Sequence, residues 1–194
     1  PEAVAAWRQT GLGHDAGPVP QRPQERQAWM RFKSQTLTRF TLDLRQAVQA
    51  IRGPQVKTAR NLFALPILEP QSEAWFAQNL DDFLAAYDWT VPMAMPLMES
   101  VPIDASQAWL TRLVQAVASH PGALKKTIFE LQARDWNRRK QNAIPDQQLA
   151  DWMRLLRLNG VKNYGYCPDD FINNQPDISR IRPQVSSWWY PDHD

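Results

Sequence analysis

The chain of 194 residues has little cysteine, histidine or glycine, and each shortage removes a class of function. Its single cysteine, Cys167, cannot form an internal disulfide, and the histidines His14, His120 and His193 are scattered. None of its seven glycines forms the glycine-rich loop that binds phosphate in nucleotide-binding folds. We therefore expect no disulfide framework, no histidine–cysteine metal site and no cofactor.

Long apolar runs and blocks of like charge are missing as well. No run approaches the roughly 18 to 20 residues needed to cross a bilayer, and the first residues show no signal-peptide pattern. The net charge of +2 comes from interspersed basic and acidic residues, which does not suggest a nucleic-acid partner. With 43% hydrophobic and 22% charged residues, the composition predicts a soluble globular domain that buries a core.

The chain does contain a repeated pattern in which a short apolar run precedes an amphipathic helix. The runs begin near Val56, Asp88, Lys126 and Gly160, a spacing of roughly 32 to 38 residues that fits one strand and one crossover helix. Such a repeat predicts a parallel α/β sheet. Ligands of these folds bind beyond the carboxyl ends of the strands, so the residues at those ends are the candidates for function.

The predicted elements follow this repeat along the chain. A loop-rich segment, residues 1–26, precedes the barrel-forming domain, residues 27–194, and a long amphipathic helix spans 24–51. Ser72 is expected to cap the helix that follows the first strand. The predicted strands are 56–65, 88–95, 126–133 and 161–166, and the predicted helices after them are 72–87, 105–119, 145–159 and 175–181.

Four strand–helix units fit either an open sheet or the C-terminal half of a (β/α)8 barrel of the TIM type, and two features favour the half-barrel. The chain begins with a helix and lacks the phosphate loop that opens doubly wound nucleotide folds. In the third strand, Glu130 and Gln132 alternate with apolar residues, which suits polar groups that face a barrel interior. Because a closed barrel needs about 250 residues, we expect further strands upstream.

Nine tryptophans are several times the usual number, and their positions separate them into groups. Trp29, Trp109 and Trp152 fall on the apolar stripes of helices and are predicted to be core residues. Trp75 opens the helix after the first strand and Trp136 follows the third strand, so both belong to the strand-end face. An indole there can stack on a sugar ring, and the alternative is a loop anchor packed against the barrel.

Acidic and hydrogen-bonding residues accompany these two tryptophans. Glu130 is the strongest candidate, because an unpaired carboxylate within a strand is costly, and a salt bridge is its structural alternative. Arg60 and Tyr166 are further candidates for substrate binding. Asp169 and Asp170 could serve glycoside hydrolysis, which needs two carboxylates, or could be solvated loop acids or helix-capping residues. No serine-nucleophile or helical metal motif supports another chemistry.

Four stretches of the chain resemble one family of bacterial enzymes. They are LFALPILEPQSEAWFAQNLDDFLAAYDW (62–89), MAMPLMES (93–100), ELQARDW (130–136) and LNGVKNYGYCPDDF (158–171). In this order they resemble the C-terminal domain of poly-β-1,6-N-acetyl-D-glucosamine N-deacetylases, and the resemblance runs from about Trp29 to the end of the chain.

The resemblance implies a periplasmic lipoprotein of the outer membrane, in which a metal-dependent deacetylase domain precedes a barrel that binds, and in some members cleaves, the partly deacetylated polymer. It implies that Trp75 and Trp136 line the sugar groove, and it extends to Glu130 and Tyr166. The family's catalytic Asp pair lies on a strand before this sequence, so no catalytic residue or metal ligand is expected here. Its implied partners are the polymer, the preceding half-barrel with the deacetylase domain, and an outer-membrane export porin.

The sequence leaves three functions open. The leading one is hydrolysis of partly deacetylated poly-β-1,6-glucosamine by a barrel whose acids lie upstream. The second is a non-catalytic module that binds the polysaccharide during export. A protein-interaction scaffold is the third, and the acids and tyrosines at the strand ends count against it, because such a surface is expected to be apolar.

Overall fold

A computed structural model describes residues 22–136 and 142–185. Its helices are α1 (Pro23–Arg52), α2 (Ala64–Leu68), α3 (Glu73–Phe76), α4 (Leu80–Ala86), α5 (Ile103–Ala118), α6 (Asp146–Leu158) and α7 (Ile178–Val185). Its strands are β1 (Ala59–Leu62), β2 (Trp89–Ala94), β3 (Phe129–Gln132), β4 (Arg134–Asp135), β5 (Asn142–Ala143) and β6 (Tyr164–Cys167). Strands and helices therefore alternate as the sequence repeat predicts.

Four strands form one parallel sheet in the order β1-β2-β3-β6. Arg60 pairs with Thr90, Met93 with Glu130, and Glu130 with Gly165. Parallel neighbours need crossover connections, and helices supply them here. The α/β class with a parallel sheet is confirmed, although each strand is shorter than its predicted span. The strands β4 and β5 form a separate antiparallel pair beyond the end of β3.

Helix α1 precedes the sheet and has clear start and stop signals. Pro23 lies in its first turn, where a missing N–H costs no hydrogen bond, and Gly53 ends it with φ of 97°. The helix thus begins one residue before its predicted start at residue 24 and takes in the last four residues of the loop-rich segment; residues 1–21 lie outside the described part. Four exposed apolar residues form a stripe along this helix: Phe40, Leu44, Val48 and Ile51.

The predicted helix 72–87 is wrong, because the structure has two helices there, α3 and α4. Ala77 adopts a left-handed conformation with φ of 51°, which ends α3. Ser72 makes no capping hydrogen bond, whereas the Asn79 side chain accepts one from the backbone N–H of Asp82 and caps α4. The break leaves Trp75 on a single helical turn close to the end of β1.

The core lies between the sheet and its helices, and the three tryptophans predicted for it are buried. Trp29 and Trp109 are each 8% exposed, and Trp152 is fully buried. The indole N–H of Trp152 donates to Oγ of Ser106 at 2.8 Å, so its one polar atom is satisfied inside the core. The prediction that these residues serve packing is confirmed.

Neither a membrane span nor a metal cluster occurs in the part of the chain that the structure describes. None of its helices is long and apolar enough to cross a bilayer. Its His, Cys, Asp and Glu side chains form no group of three that could hold a metal ion.

Candidate functional site at the carboxyl ends of the strands

The register of the sheet assigns each strand residue to one of two faces. Leu62, Phe129 and Leu131 are fully buried members of the core, so they and their register partners face the helices. Side chains alternate along a strand, and the other positions therefore face what is the interior in a closed barrel. We call these positions the inner face: Ala59, Asn61, Trp89, Val91, Met93, Glu130, Gln132, Gly165 and Cys167.

Glu130 is the carboxylate of the inner face. Its Oε2 accepts a hydrogen bond from Nδ2 of Asn61 at 2.8 Å, across the intervening strand β2. Alternate strands contribute to one interior layer of a barrel in this way. Burial raises the pKa of Glu130, and the hydrogen bond from Asn61 partly offsets this increase. Within residues 22–136 and 142–185 no ion pair reaches Glu130, so the salt-bridge alternative is not realised there.

Gln132 lies on the same face, two residues closer to the carboxyl end, and is fully buried. Its Oε1 accepts from the backbone N–H groups of Leu97 at 2.8 Å and Met98 at 3.3 Å. Its Nε2 donates to the carbonyl oxygen of Arg134 at 2.8 Å. This side chain therefore ties the loop after β2 to the segment after β3. The sequence analysis did not select Gln132 as a site residue. Its spacing of two residues from Glu130 was the one signal that it shares the polar face.

Trp75 projects from α3 and is 77% exposed. Its predicted place at the strand ends is confirmed, and this degree of exposure is not that of a loop anchor. Lys33 holds α3 on α1 by donating from Nζ to the carbonyl oxygen of Ala74. A groove of about 440 Å³ opens between the two helices, and seven residues line it: Arg26, Trp29, Met30, Lys33, Gln71, Ala74 and Trp75.

Trp136 directly follows β4, beyond the end of β3, and is partly buried. Its predicted place at the strand ends is likewise confirmed. The preceding residue, Asp135, is buried with 7% exposure. Because β4 pairs with β5, the segment just before Trp136 has a defined backbone. The stacking roles of Trp75 and Trp136 stay predictions.

Arg60 does not belong to this site, and its predicted role is corrected. The register places Arg60 on the helix side of β1, where its guanidinium donates to Oγ1 of Thr41 at 2.8 Å and to the hydroxyl of Tyr87 at 2.6 Å. The same group lies 4.4 Å from the ring centre of Phe83. These contacts join α1, β1 and α4, so Arg60 stabilises the fold outside the inner face.

Tyr166 is also on the helix side, beside Leu131, and its ring packs against the core. Its hydroxyl donates to Oδ1 of Asp169 at 2.9 Å. Burial and this carboxylate raise the pKa of Tyr166 to about 12, so the phenol stays protonated. Tyr166, a predicted substrate-binding residue, therefore lies outside the inner face, and its binding role stays a prediction.

Asp170 lies in the loop after β6 and has hydrogen-bond and ion-pair partners within the protein. It accepts from the backbone N–H of Asn173 at 3.1 Å and from that residue's side-chain amide at 2.9 Å. An ion pair with Arg134 spans 3.8 Å. The Asn173 hydrogen bonds, with Arg134 contributing less, lower the pKa of Asp170. These contacts are those of a structural loop acid, and they do not single out Asp170 as a catalytic acid.

The comparison with family models settles where this chain belongs. The model described as hypothetical glycosyl hydrolase family 13 matches residues 1–167. The chain belongs to this family. Two curated relatives are poly-β-1,6-N-acetyl-D-glucosamine N-deacetylases of Escherichia coli, from strains K12 and O157:H7, and each is 52% identical over 193 residues. The match covers 99% of this chain but 29% of each relative, so the chain spans under a third of their length.

A solved structure supports the same assignment for this member of the hypothetical glycosyl hydrolase family 13. The PgaB (BpsB) glycoside hydrolase domain from Bordetella bronchiseptica superposes with a TM-score of 0.89 at 42% identity. It covers 96% of this chain, and the chain covers 52% of that domain. The resemblance to the C-terminal domain of the deacetylases is thus confirmed, and so is a TIM-barrel-like α/β fold.

The inner face of this member of the hypothetical glycosyl hydrolase family carries few acidic side chains. Its nine positions include one carboxylate, Glu130. A second acid with a raised pKa, Glu99, follows β2, and burial together with the nearby Glu69 causes that increase. Glycoside hydrolysis usually needs two carboxyl groups about 5 to 10 Å apart on either side of the scissile bond. The inner face of the described strands therefore does not hold a complete acid pair.

Proposed function

We propose that this chain forms the C-terminal half of a barrel that binds partly deacetylated poly-β-1,6-N-acetyl-D-glucosamine and hydrolyses it with acids from the preceding half. One observation carries the proposal: the Trp75 indole, 77% exposed, lies at the strand-end side, whereas Trp29, Trp109 and Trp152 on the other described helices are buried. Leaving an indole in water forgoes the burial free energy of a large apolar side chain. A sugar ring stacked on Trp75 would recover part of it.

The charge of Glu130 suits the same polymer. Each deacetylated unit carries an ammonium group, and Glu130 has an Asn61 hydrogen bond but no ion pair in the described residues. A carboxylate in a partly desolvated groove attracts a cation more strongly than one in open water. We propose that Glu130 binds the ammonium group of one deacetylated unit, and that Trp75 and Trp136 stack on neighbouring sugars.

Two surfaces of the described part support the proposal that another half-barrel packs against this chain. In the described sheet β1 and β6 each have one strand neighbour, although unpaired strand edges are usually covered in native proteins. The exposed apolar stripe of α1 runs from Phe40 to Ile51. Two of its residues, Leu44 and Val48, line a groove together with Arg60 of β1, so the stripe flanks the β1 edge. The solved domain is nearly twice as long as its match to this chain. We propose that an upstream half-barrel covers the stripe and both edges.

The proposed setting follows the curated relatives. Their printed name gives them N-deacetylase activity on poly-β-1,6-N-acetyl-D-glucosamine. We propose that the full-length protein carries a deacetylase domain before the barrel, works in the periplasm at the outer membrane, and passes its product to an export porin. Detection of the protein in a periplasmic or outer-membrane fraction tests the location.

Titration of the full-length protein with a partly deacetylated β-1,6-linked glucosamine oligosaccharide tests the binding role. We expect Trp75→Ala and Trp136→Ala each to weaken binding about tenfold, because stacking on an aromatic ring is worth roughly 1 kcal/mol or more. Leu158→Ala is a matched control, since Leu158 is also 77% exposed but ends α6, a helix that returns the chain to the start of β6. Unchanged affinity in both tryptophan variants would refute the stacking role.

The second candidate is a non-catalytic polysaccharide-binding module, and the single carboxylate of the described inner face favours it. Both functions require the same tryptophans, so binding data do not separate them. Product analysis after incubation of the full-length protein with the partly deacetylated polymer does. Shorter oligomers support hydrolysis, whereas an intact polymer at full binding supports the module.

A further inference from the structure

We infer that Gln132 is a positioning residue that holds the Trp136 segment and the Glu99 loop together for saccharide binding. This role depends on the proposed function of the site, but the geometry behind it does not. The Gln132 side chain is fully buried on the inner face of β3, at the last residue of that strand. No nucleophilic or proton-transfer step is assigned to it.

Three backbone groups converge on this one amide. The N–H groups of Leu97 and Met98 donate to its oxygen, although Met98 also donates to the carbonyl of Met95 at 3.1 Å, and the carbonyl of Arg134 accepts from its nitrogen. Glutamine supplies both from one planar group, whereas a glutamate carboxylate has no donor and a methionine thioether offers only a weak acceptor. The residue type is therefore specified by its contacts.

The two segments that Gln132 joins carry the candidate groups. Glu99 follows Met98 directly, and Trp136 stands two residues after Arg134. Loops are usually the most mobile parts of a barrel, and a buried donor or acceptor that loses its partner is costly. Movement of either segment away from Gln132 would break these hydrogen bonds. The amide therefore links the segment that carries the acid to the segment that carries the indole.

The Arg134 link is a side-chain tie that adds to backbone contacts of the same region, among them the pairing of Arg134 and Asp135 in β4 with β5. The backbone N–H of Ala133 donates to the carbonyl of Cys167 at 2.8 Å, and the N–H of Ile144 donates to the carbonyl of Ala133 at 2.9 Å. These bonds hold the chain before Arg134 through the backbone. A change of the Gln132 side chain leaves those two bonds in place and removes the side-chain tie.

The test uses the full-length protein labelled with 5-fluorotryptophan, and a Trp136→Phe variant assigns the Trp136 line in the ¹⁹F NMR spectrum. Gln132→Met keeps the volume and removes the hydrogen bonds. We expect it to shift or broaden the Trp136 line and to weaken binding of a partly deacetylated β-1,6-glucosamine oligosaccharide about five- to tenfold.

Gln132→Glu is the second variant, in case the methionine variant does not fold. Its carboxylate keeps the acceptor for Leu97 and Met98 but loses the donor to Arg134, and protonation restores that donor. We expect the Trp136 line to be displaced at high pH and to return toward its wild-type position as the pH falls. A purely structural loss of stability would not produce this reversal in a folded protein.

Asp88→Asn is the matched control, since Asp88 also ties two segments through a side chain, at the opposite end of the sheet. It should lower the melting temperature, leave the Trp136 line in place and change affinity by less than about twofold. An unmoved Trp136 line in folded Gln132→Met and Gln132→Glu would overturn the inference. So would a moved line at unchanged affinity, provided that Trp136→Ala itself weakens binding. Unchanged affinity in Trp136→Ala would instead refute the proposed function of Trp136.

Discussion

The carboxylates Asp88 and Glu130, toward the two ends of the sheet, differ in their number of hydrogen-bond donors and in the direction of their pKa shifts. At the amino end, Asp88 accepts from the backbone N–H of Thr58 at 2.9 Å, from the Thr58 hydroxyl at 3.0 Å and from Nζ of Lys57 at 3.2 Å. The Thr58 backbone bond, followed by Lys57 and the hydroxyl, lowers the pKa of Asp88 to about 2. Toward the carboxyl end, Glu130 has one amide partner, and burial raises its pKa.

This contrast separates an acid that holds the fold from one that is available to a ligand. Asp88 joins the residue before β1 to the residue before β2, so its charge is used inside the protein. Glu130 accepts one hydrogen bond, from Asn61, and an acid whose pKa is raised in a cleft is a candidate for function. The amino end of a barrel typically serves stability and the carboxyl end serves activity, which the predictions below test from the largest effect to the smallest.

The largest expected effect is on stability at the amino end. Asp88→Ala removes the acceptor of two Thr58 donors and of Lys57, so we expect the free energy of unfolding to fall by about 1–3 kcal/mol. Saccharide affinity should stay within about twofold, because no candidate binding residue contacts Asp88. Denaturant unfolding and oligosaccharide titration of one preparation measure both. A loss of affinity without a loss of stability would contradict the division between the two ends.

A smaller effect is expected on binding at the carboxyl end. Glu130→Gln keeps an acceptor for Asn61 but removes the charge, so we expect affinity for an oligosaccharide with ammonium groups to fall about three- to tenfold. The fully N-acetylated oligosaccharide of the same length carries no cation and serves as the control ligand. Equal losses for the two ligands would show that Glu130 does not recognise the ammonium group.

Those features of the carboxyl end that depend on a local sequence pattern could be predicted from the sequence. The repeat of strands and helices located Trp75 and Trp136 at strand ends, and the alternation of Glu130 with apolar neighbours gave its face. These signals need only the period of a strand or helix and the order of elements. The assignment to a family drew on longer stretches of sequence and is confirmed by the comparisons.

The rest depended on contacts that a local pattern does not encode. The strand Ala59–Leu62 reads ARNL, with two adjacent polar residues, so its sequence gave no sign that Arg60 faces the helices and Asn61 the interior. A one-residue change of register exchanges the two faces. For the same reason, the sequence did not show which face of the sheet carries Tyr166. Gln132 joins two loops that are distant in sequence. The helix break at Ala77 needs a left-handed alanine, which its sequence context does not announce.

The two acids should also respond to pH with opposite signs, and the effect of Asp88 is the easier to measure. Its folded pKa of about 2 lies below its ordinary value of 3.8. The stability that its charge contributes is thus present above about pH 4 and is lost as the pH falls toward 2. Unfolding free energies of wild type and Asp88→Asn should converge over that interval. A constant difference down to pH 2 would show that the charge of Asp88 contributes nothing.

The smallest effect is the stability change at Glu130, whose folded pKa lies above its ordinary value of 4.5. The folded state therefore binds this proton more tightly than the unfolded state, so ionised Glu130 lowers stability at neutral pH and the cost disappears as the pH falls to about 4.5. We expect Glu130→Gln to melt slightly higher than wild type at neutral pH, by less than about 3 °C, and equally at acidic pH. Addition of the deacetylated oligosaccharide should reverse the order at neutral pH, because an ammonium partner stabilises the charged form. If Glu130→Gln melted lower than wild type without ligand, the carboxylate would be part of the structural framework, and the two ends of the sheet would not differ in the way their hydrogen bonds indicate.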